Sequence, residues 1–421
     1  MHCGRPLLME HTHNSLTATI ESVSELLEKR AAAYPVRGRD YDLAMKAIGD
    51  LGSHLLRTTD FSSFTPNPAL IAAAETLSQK PIFIGGPMKS GTSLLLQLLD
   101  GHPDLFVMPG DSHFAKHAKQ SNAFGFDHLA AYWLTRFITP TGQKPFWFLG
   151  KDEQHLRTFV QYLHYFHSKT ASIPPLCAVL AAYVTLNAGG APPRPSSYWV
   201  EKTPGNELNT AFLAARFPSA SFVSIVRHPL ENISSLLRLS NVRGWQDSAP
   251  AEAYYLRRLF RAYRRNAARF PRHFLIKYED LVSEPGTTMT GLATGLGICS
   301  SESLLAPTQG GSGAKSNSMY QDARVVGKIL NQSTSTRHRT VLSERDIADI
   351  SLILSEDAGV FGYSFNRDGV SDTPFGSAVR RITLFLRMFR QRFIRPRVVR
   401  SIIGGIRSNR ERKRHFYESC D

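Results

Sequence analysis

The first eighty residues carry apolar side chains at the spacing of amphipathic helices. For example, Leu43, Ala47 and Leu51 recur every four residues and share one face of a helix. A similar pattern covers residues 15–34. We therefore predict an N-terminal helical region over residues 1–80, which packs on the rest of the chain as an appendage.

The periodicity changes after this region. Short apolar runs alternate with helical patterns, and each run is followed by a polar or charged turn. The predicted strands are 81–84, 198–201, 221–226 and 273–277. Strands that alternate with helices predict a parallel sheet flanked by helices. The body, residues 81–370, is therefore predicted to be an α/β domain with a P-loop-like parallel sheet.

One uncharged stretch, from Thr170 to Pro193, raises the question of a membrane segment. Only Leu176–Leu186 within it has a continuous helical pattern, and this is too short to span a bilayer. We predict a buried core helix there. The N-terminal residues have neither an apolar core nor a cleavage site, so no secretory signal is predicted. The expected location is the cytoplasm.

Charge and cysteine content narrow the choice of partner and cofactor. The 421 residues carry a formal net charge of +15. The four cysteines, Cys3, Cys177, Cys299 and Cys420, are far apart and lack the spacing of a zinc site or a disulfide framework. We therefore expect a reducing compartment and no metal.

Much of the positive charge lies in a C-terminal tail, residues 371–421. Between Val379 and Arg414 there are thirteen arginines and lysines and one acid, Glu411. Apolar residues recur there at helical spacing, at Ile382, Phe385, Leu386, Phe389 and Phe393. A basic amphipathic helix can lie on an anionic membrane. A solvated or nucleic-acid-binding tail is the open alternative, although our working expectation is membrane contact without a nucleic-acid partner.

The turn after the first predicted strand has the form of an anion-binding loop. Residues Gly86 to Ser93 join this strand to an amphipathic helix, so backbone N–H groups and the positive end of a helix dipole meet there. Lys89 adds a charge, and Thr92 adds a hydroxyl donor. The lysine precedes Gly91, whereas the nucleoside-triphosphatase loop has it after the last glycine. The pattern favours an anion other than Mg-ATP, and a plain turn with a helix cap is the alternative.

A second element could hold another phosphate. The predicted strand 221–226 delivers Arg227 to the edge of the sheet, and Pro229 begins a helix in which Ser235 lies about two turns on. An arginine and a hydroxyl that converge suit a phosphate. By itself, an exposed arginine at the end of a strand would explain Arg227 equally well.

Together the two elements resemble the sulfotransferases that use 3′-phosphoadenylyl sulfate, in the branch of the tyrosylprotein sulfotransferases and many bacterial homologues. The resemblance runs from about Pro81 to Tyr363. It includes, in order, the segments 99–104 (LDGHPD), 201–204 (EKTP), 217–220 (FPSA), 278–281 (YEDL) and 361–363 (FGY). Two departures are Met88, at the usual proline position, and His228, in place of an acid or amide.

The resemblance implies roles for individual residues. Lys89 and Lys202 would stabilise charge on the transferring group. The co-substrate, 3′-phosphoadenylyl sulfate, would be bound without a metal by Lys89, Ser90, Gly91, Thr92, Ser93, Arg227, Ser235, Arg238, Tyr278 and Lys328. The expected reaction is in-line transfer of the sulfuryl group to an acceptor hydroxyl or amine.

The acceptor proton needs a general base. In the related branch this is a glutamate shortly after the first helix and its His-Pro-Asp turn. Asp111 lies one residue further on and is our preferred base, and His113 is the alternative. Asp111 could instead cap a helix after Gly110, and His113 could be a surface residue.

Two functions of other classes compete with sulfuryl transfer. A small-molecule kinase with a P-loop would share the fold, but the position of Lys89 and the pairing of Arg227 with Ser235 count against it. A basic protein that binds membranes or nucleic acids without catalysis would explain the tail but not the loops of the body. The sequence leaves the acceptor open among carbohydrate, lipid, peptide and small alcohol.

Overall fold

A computed structural model of the protein describes residues 15–31, 38–120, 125–139, 146–169, 173–188, 198–243, 247–314, 326–329 and 337–365. Its centre is a sheet of five parallel strands in the order β2–β5–β1–β6–β7, and four shorter strands form the antiparallel pairs β3–β4 and β8–β9. The strands are β1 (Pro81–Gly85), β2 (Leu105–Asp111), β3 (Ile138–Thr139), β4 (Phe146–Trp147), β5 (Tyr198–Lys202), β6 (Ser221–Val226), β7 (His273–Lys277), β8 (Thr308–Gln309) and β9 (Ser312–Gly313).

Helices cover both faces of this sheet. They are α1 (Leu16–Ala31), α2 (Gly38–Thr58), α3 (Pro68–Ser78), α4 (Thr92–Leu99), α5 (Phe114–Lys119), α6 (Phe126–Phe137), α7 (Glu153–Lys169), α8 (Pro174–Asn187), α9 (Thr210–Arg216), α10 (Pro229–Arg243), α11 (Ala249–Arg269), α12 (Tyr278–Ser283), α13 (Pro285–Leu296) and α14 (Glu344–Gly359). Short 3₁₀ turns lie at Asn206–Leu208, Glu302–Leu305 and Arg337–Thr340. The predicted α/β class with a parallel sheet is confirmed.

The alternation of side chains along β1 divides the core. Phe83 packs into a cluster that includes the N-terminal helices and the long helices α6 to α8. Its neighbours Ile82 and Ile84 pack into a second cluster, with α4 and α13. Since successive strand residues point to opposite faces, these clusters lie on the two sides of the sheet. A third cluster joins α10, α11 and α14.

The predicted N-terminal helices form, with one shift of face. Leu43 is 41% exposed, while Ala44, Ile48, Leu51 and Leu55 are fully buried. The buried face of α2 is therefore rotated from the one that begins at Leu43. Helix α3 begins at Pro68, where the Asn67 side chain accepts hydrogen bonds from the next backbone N–H groups.

The uncharged stretch forms α8, and its residues Pro174–Thr185 are buried as predicted. Within the described residues, no helix is long and apolar enough to cross a membrane. The basic tail predicted over residues 371–421 lies outside the part of the chain that the structure describes.

The strand β2 is the main element that the sequence pattern did not reveal. It runs parallel to β5, and the register shifts between Val107 and Asp111. Pro109 and Gly110 occupy this irregular part. Because these two residue types usually mark a turn, the pattern hides the strand.

Candidate active site

The loop between β1 and α4 is held in one conformation by contacts from β6 and α10. Lys89 has a positive φ of 66°, which is unusual for a residue with a side chain. Its carbonyl oxygen accepts a hydrogen bond of 3.1 Å from Arg227 Nη1, and the Met88 carbonyl accepts one of 3.0 Å from Asn232 Nδ2. With two consecutive carbonyls fixed, the orientation of the loop backbone is set before any ligand binds.

Gly91 and Tyr278 fit together at the start of α4. Gly91 has a φ of 104°, and a Cβ atom there would lie 2.5 Å from Tyr278 Cδ2. Only glycine allows this approach, which brings the ring against the loop. Tyr278 was predicted as a nucleotide contact, and the structure places it beside the predicted phosphate loop.

The hydroxyl groups of the loop differ in their surroundings. Ser90 is fully buried, and its hydroxyl donates to the Pro87 carbonyl at 2.7 Å. Its hydroxyl therefore closes the turn of the loop itself. Thr92 is buried in the first turn of α4, whereas Ser93 is half-buried and its Oγ lies 3.4 Å from Lys202 Nζ.

Arg227 joins the second predicted element to the first. Besides its bond to Lys89, its guanidinium lies 4.5 Å from the centroid of the Tyr278 ring. The side chain is 8% exposed, and its Nε has no hydrogen-bond partner within the described ranges. Ser235 is buried about two turns along α10, the helix that follows Arg227, and Arg238 is half-buried one turn further. The structure therefore brings Arg227, Tyr278 and the predicted loop together.

Glu231 sits behind Arg227 and was missed in the sequence. Its Oε2 lies 3.9 Å from Arg227 Nη2, which is a long ion pair. Its Oε1 accepts from His338 Nδ1 at 2.9 Å and from the His338 backbone N–H at 3.3 Å. Glu231 thus supports Arg227 without covering its guanidinium.

Lys202 and Asp111 meet at the carboxyl ends of β5 and β2. They are paired in the register of the two strands, and Lys202 Nζ makes an ion pair with Asp111 Oδ1. The Lys202 side chain is only 5% exposed, whereas that of Asp111 is 38% exposed. Lys202 is therefore not a solvated lysine at the end of a strand. The interpretation of Asp111 as a helix cap is wrong, because α5 begins three residues later.

His113 lies directly after this pair. It has a φ of 54°, and its backbone N–H donates to Thr203 Oγ1 at 2.9 Å. Burial lowers the pKa of His113 below its ordinary value, Arg136 lowers it further, and Asp111 opposes the shift. The half-buried ring is not a simple surface histidine, and it lies in the electric field of Asp111 and Lys202.

The buried carboxylate of Glu201 accepts hydrogen bonds from the turns that follow β2 and β5. Its Oε1 accepts from the hydroxyls of Ser112 and Thr203, both at 2.5 Å, and its Oε2 accepts from Asn206 Nδ2 at 2.7 Å. Burial raises the pKa of Glu201, and the three donors oppose the shift. Glu201 stands in the EKTP segment, which was the available signal in the sequence.

Glu207 fixes the start of the phosphate loop. Its Oε2 accepts from the Gly86 backbone N–H at 3.0 Å, and its Oε1 accepts from the Tyr263 hydroxyl at 3.1 Å. Burial raises the pKa of Glu207 to about 7. No local pattern could have revealed this contact, since Gly86 and Glu207 are 121 residues apart.

Lys328, the last predicted nucleotide contact, is exposed in the segment 326–329. This segment is joined to the end of the β8–β9 pair through the Gly327 N–H, which donates to the Ala314 carbonyl at 2.8 Å. Within the described residues, no hydrogen bond or ion pair links Lys328 to the phosphate loop. No group of three or more potential metal ligands lies together in the same part of the chain.

The chain is similar to proteins of a known family. A model of the sulfotransferase family matches residues 81–302, just over half of the chain. Comparison with curated proteins gave no match.

Several solved structures are similar to the chain. The sulfotransferase domain of the olefin synthase from Synechococcus PCC 7002 is 20% identical, with a TM-score of 0.43, over 68% of this chain and 95% of that one. The sulfotransferase domain from the curacin biosynthetic pathway is 17% identical, with a TM-score of 0.41, over 68% and 98%. Sulfotransferase STF9 from Mycobacterium avium is 14% identical, with a TM-score of 0.38, over 85% and 99%.

Proposed function

The chain belongs to the sulfotransferase family, and on that premise we propose that it transfers the sulfuryl group of 3′-phosphoadenylyl sulfate to an acceptor hydroxyl or amine. The contact of Lys202 with both Ser93 and Asp111 is the observation that carries this proposal. It puts one buried cation between the predicted donor loop and the predicted base. Sulfuryl transfer needs charge stabilisation on one side of the sulfur and proton removal on the other.

The donor would lie across the loop and α10. The backbone from Gly86 to Thr92 would bind the 5′-phosphosulfate, together with the Lys89 ammonium and the Ser93 hydroxyl. Arg227, Ser235 and Arg238 would bind the 3′-phosphate, and the unpartnered Nε of Arg227 supports this assignment. Tyr278 would contact the nucleotide from the Gly91 side, and Lys328 from the segment after β9.

Lys202 would change partner during the reaction. Without donor, its ammonium is paired with the Asp111 carboxylate. A phosphosulfate bound beside Ser93 would compete with Asp111 for that ammonium. The Asp111 carboxylate would then be available to accept the proton of the acceptor. An exchange of this kind would couple donor binding to activation of the base.

The transfer itself would be an in-line displacement. The acceptor oxygen or nitrogen attacks sulfur while its proton passes to Asp111. The bond between sulfur and the bridging oxygen breaks, and adenosine 3′,5′-bisphosphate leaves with the electron pair. Lys89, Lys202 and the loop N–H groups stabilise the charge that develops on the leaving phosphate.

His113 remains the second candidate for the base. Asp111 is favoured because its carboxylate contacts Lys202 directly, while the hydrogen bonds of His113 within the described residues are made by its backbone N–H and carbonyl groups. A small-molecule kinase is disfavoured because Lys89 precedes Gly91. The basic tail stays proposed as a peripheral contact with an anionic membrane.

A binding comparison followed by a transfer assay tests the proposal. Calorimetry with adenosine 3′,5′-bisphosphate, adenosine 5′-phosphate and ATP should show clearly the tightest binding for the bisphosphate. Incubation with donor labelled in the sulfuryl group should then label an acceptor from a cell extract. Equal affinities for the three nucleotides would refute the donor assignment, and tightest binding of ATP would favour the kinase.

A further inference from the structure

Beyond Asp111, the site continues into a group of side chains of which only His113, the second candidate for the base, has a role in the reaction described above. We call His113, His117, Tyr132 and Arg136 the acceptor-side cluster. The Tyr132 hydroxyl donates to the Ser112 carbonyl at 2.7 Å, so its ring lies beside the turn between Asp111 and His113. All four side chains are half-buried, so part of each surface remains open to a ligand.

The ring of Tyr132 organises this cluster. The His117 ring centroid lies 4.0 Å from that of Tyr132, and the Arg136 guanidinium carbon lies 4.9 Å from the same ring. Stacking on an aromatic ring orients the planar guanidinium. Arg136 is therefore held in place by Tyr132, which is itself fixed to the backbone next to the proposed base.

The cluster carries positive charge that the described residues do not neutralise. No carboxylate in the described ranges forms an ion pair with Arg136, and its buried Nε has no hydrogen-bond partner there. Two other half-buried arginines have carboxylate partners, Arg157 with Glu153 and Arg257 with Asp357, and Arg272 instead donates from its Nε to Ser221 Oγ at 3.0 Å. A buried N–H group without an acceptor is unfavourable, so a ligand that accepts from Arg136 Nε would be favoured.

The histidines report the same excess of cations. Burial, with smaller contributions from Lys116, His113 and Arg136, lowers the pKa of His117 to about 4. The pKa of His113 is lowered by burial and by Arg136. Both rings are therefore neutral near pH 7 and supply no positive charge of their own.

We propose that the acceptor carries an anionic group, a carboxylate or a phosphate, beside its reactive hydroxyl or amine, and that Arg136 binds this group. The inference rests on the proposed function, because it names the class of acceptor for the same site. A planar guanidinium matches both anions by paired hydrogen bonds. An apolar acceptor would instead cover Arg136 without supplying a counter-ion, so its binding would be disfavoured.

Binding to the full chain saturated with adenosine 3′,5′-bisphosphate tests this without knowledge of the natural acceptor. The nucleotide occupies the donor site, so small anions report only on the remaining surface. The probes are benzoate, phenyl phosphate and the neutral benzamide, measured by calorimetry. At least one of the two anions should bind about tenfold or more tightly than benzamide, as expected of a charge-assisted hydrogen bond. The stronger of the two identifies the preferred anion.

Arg136→Gln should remove this preference, while Arg269→Gln should keep it. Arg269 also lies over an aromatic ring, that of Phe270, but it ends α11 before the start of β7, at the opposite edge of the sheet. Unchanged affinity for the bisphosphate would show that Arg136→Gln is folded. If it is not, Arg136→Lys carries the test, because it keeps the charge and should retain only part of the preference.

Histidine resonances locate the binding. The imidazole C–H signals of His113 and His117 should shift with the anion and not with benzamide. The inference fails if neither anion binds more tightly than benzamide, if the preference survives in Arg136→Gln, or if these signals do not move. Failure of the donor assignment would appear separately, as an absence of bisphosphate binding in the first step.

Discussion

The proposed donor side and the proposed acceptor side of the site are built in different ways. On the donor side, backbone groups are fixed by distant side chains: Gly86 by Glu207, Met88 by Asn232 and Lys89 by Arg227. On the acceptor side, the half-buried side chains of Asp111, His113 and Arg136 define the surface. A site made of backbone groups suits a donor that does not vary. A site made of side chains can be altered by one substitution at a time.

The sharpest test of this contrast removes the proposed base. Asp111→Asn should lower turnover by roughly 10²- to 10⁴-fold, because an amide cannot accept the acceptor proton. Donor affinity should stay the same or increase, since an amide at this position competes less strongly with the donor for the Lys202 ammonium. Steady-state kinetics and calorimetry with adenosine 3′,5′-bisphosphate measure the two quantities.

His113→Ala is the matched variant, and its turnover should fall less. Near-normal turnover in Asp111→Asn together with an inactive His113→Ala would exchange the two roles. A large loss of donor affinity in Asp111→Asn would show that the two sides are not separate.

The second prediction concerns the support of the donor loop. Since burial raises the pKa of Glu207 from 4.5 to about 7, the folded state holds this proton more tightly than the unfolded state. The resulting stabilisation is complete below about pH 4.5 and is lost as the pH rises towards 7. The full change would be about 3 kcal/mol at most.

Glu207→Gln resembles the protonated side chain and removes this titration. The free energy of unfolding of the variant minus that of the wild type should therefore increase between pH 4.5 and 7. Urea denaturation at a series of pH values measures the difference, and other titrating groups cancel. A difference that does not vary with pH would mean that Glu207 titrates normally in the folded protein.

A third change acts on donor binding alone. Arg227→Ala should weaken binding of adenosine 3′,5′-bisphosphate by about 1.5–3 kcal/mol, the contribution of a charge-assisted hydrogen bond. Binding of adenosine 5′-phosphate should change much less, because it lacks the 3′-phosphate. Calorimetry on both nucleotides separates loss of this contact from general damage to the loop.

Arg257→Ala is the control for Arg227→Ala, since Arg257 pairs with Asp357 on α14. It should leave the preference for the bisphosphate unchanged. Equal losses for the two nucleotides in Arg227→Ala would assign this arginine to the support of the loop and not to the 3′-phosphate.

Removal of the basic tail is expected to have the smallest effect on the proposed donor and acceptor sides of the site. Deletion of residues 377–421 should abolish sedimentation with anionic liposomes, while affinity for the bisphosphate stays the same. Liposomes of neutral phosphatidylcholine serve as the control and should bind neither protein. Sedimentation of the truncated protein with anionic liposomes would contradict the proposed role of the tail.

The sequence pattern pointed to the residues of the proposed donor side more completely than to those of the proposed acceptor side. The phosphate loop and its helix are contiguous, and Arg227 and Ser235 lie within one strand-to-helix turn, so spacing alone was informative. Four of the five strands of the sheet were also predicted. Strand β2 was missed because Pro109 and Gly110 interrupt its apolar run.

The rest of the site depends on contacts between distant residues. Glu207 supports Gly86 from 121 positions away, and Ser112 reaches Glu201 across 89. Tyr132 and Arg136 share a helix that shows no motif, and only folding brings them beside Asp111. Patterns along the chain do not encode such pairs, so Arg136 could not have been assigned from the sequence.

Because Lys89 has a positive φ, stability and the proposed catalytic role favour different residues at position 89. A left-handed conformation costs a residue with a side chain about 1–2 kcal/mol relative to glycine. Directed evolution that rewards only survival at high temperature would therefore favour glycine at position 89. The same exchange would delete the ammonium proposed to stabilise the leaving group. If Lys89 has the proposed role, screening for heat resistance in this enzyme needs a simultaneous screen for activity, because it would otherwise select a more stable and inactive protein.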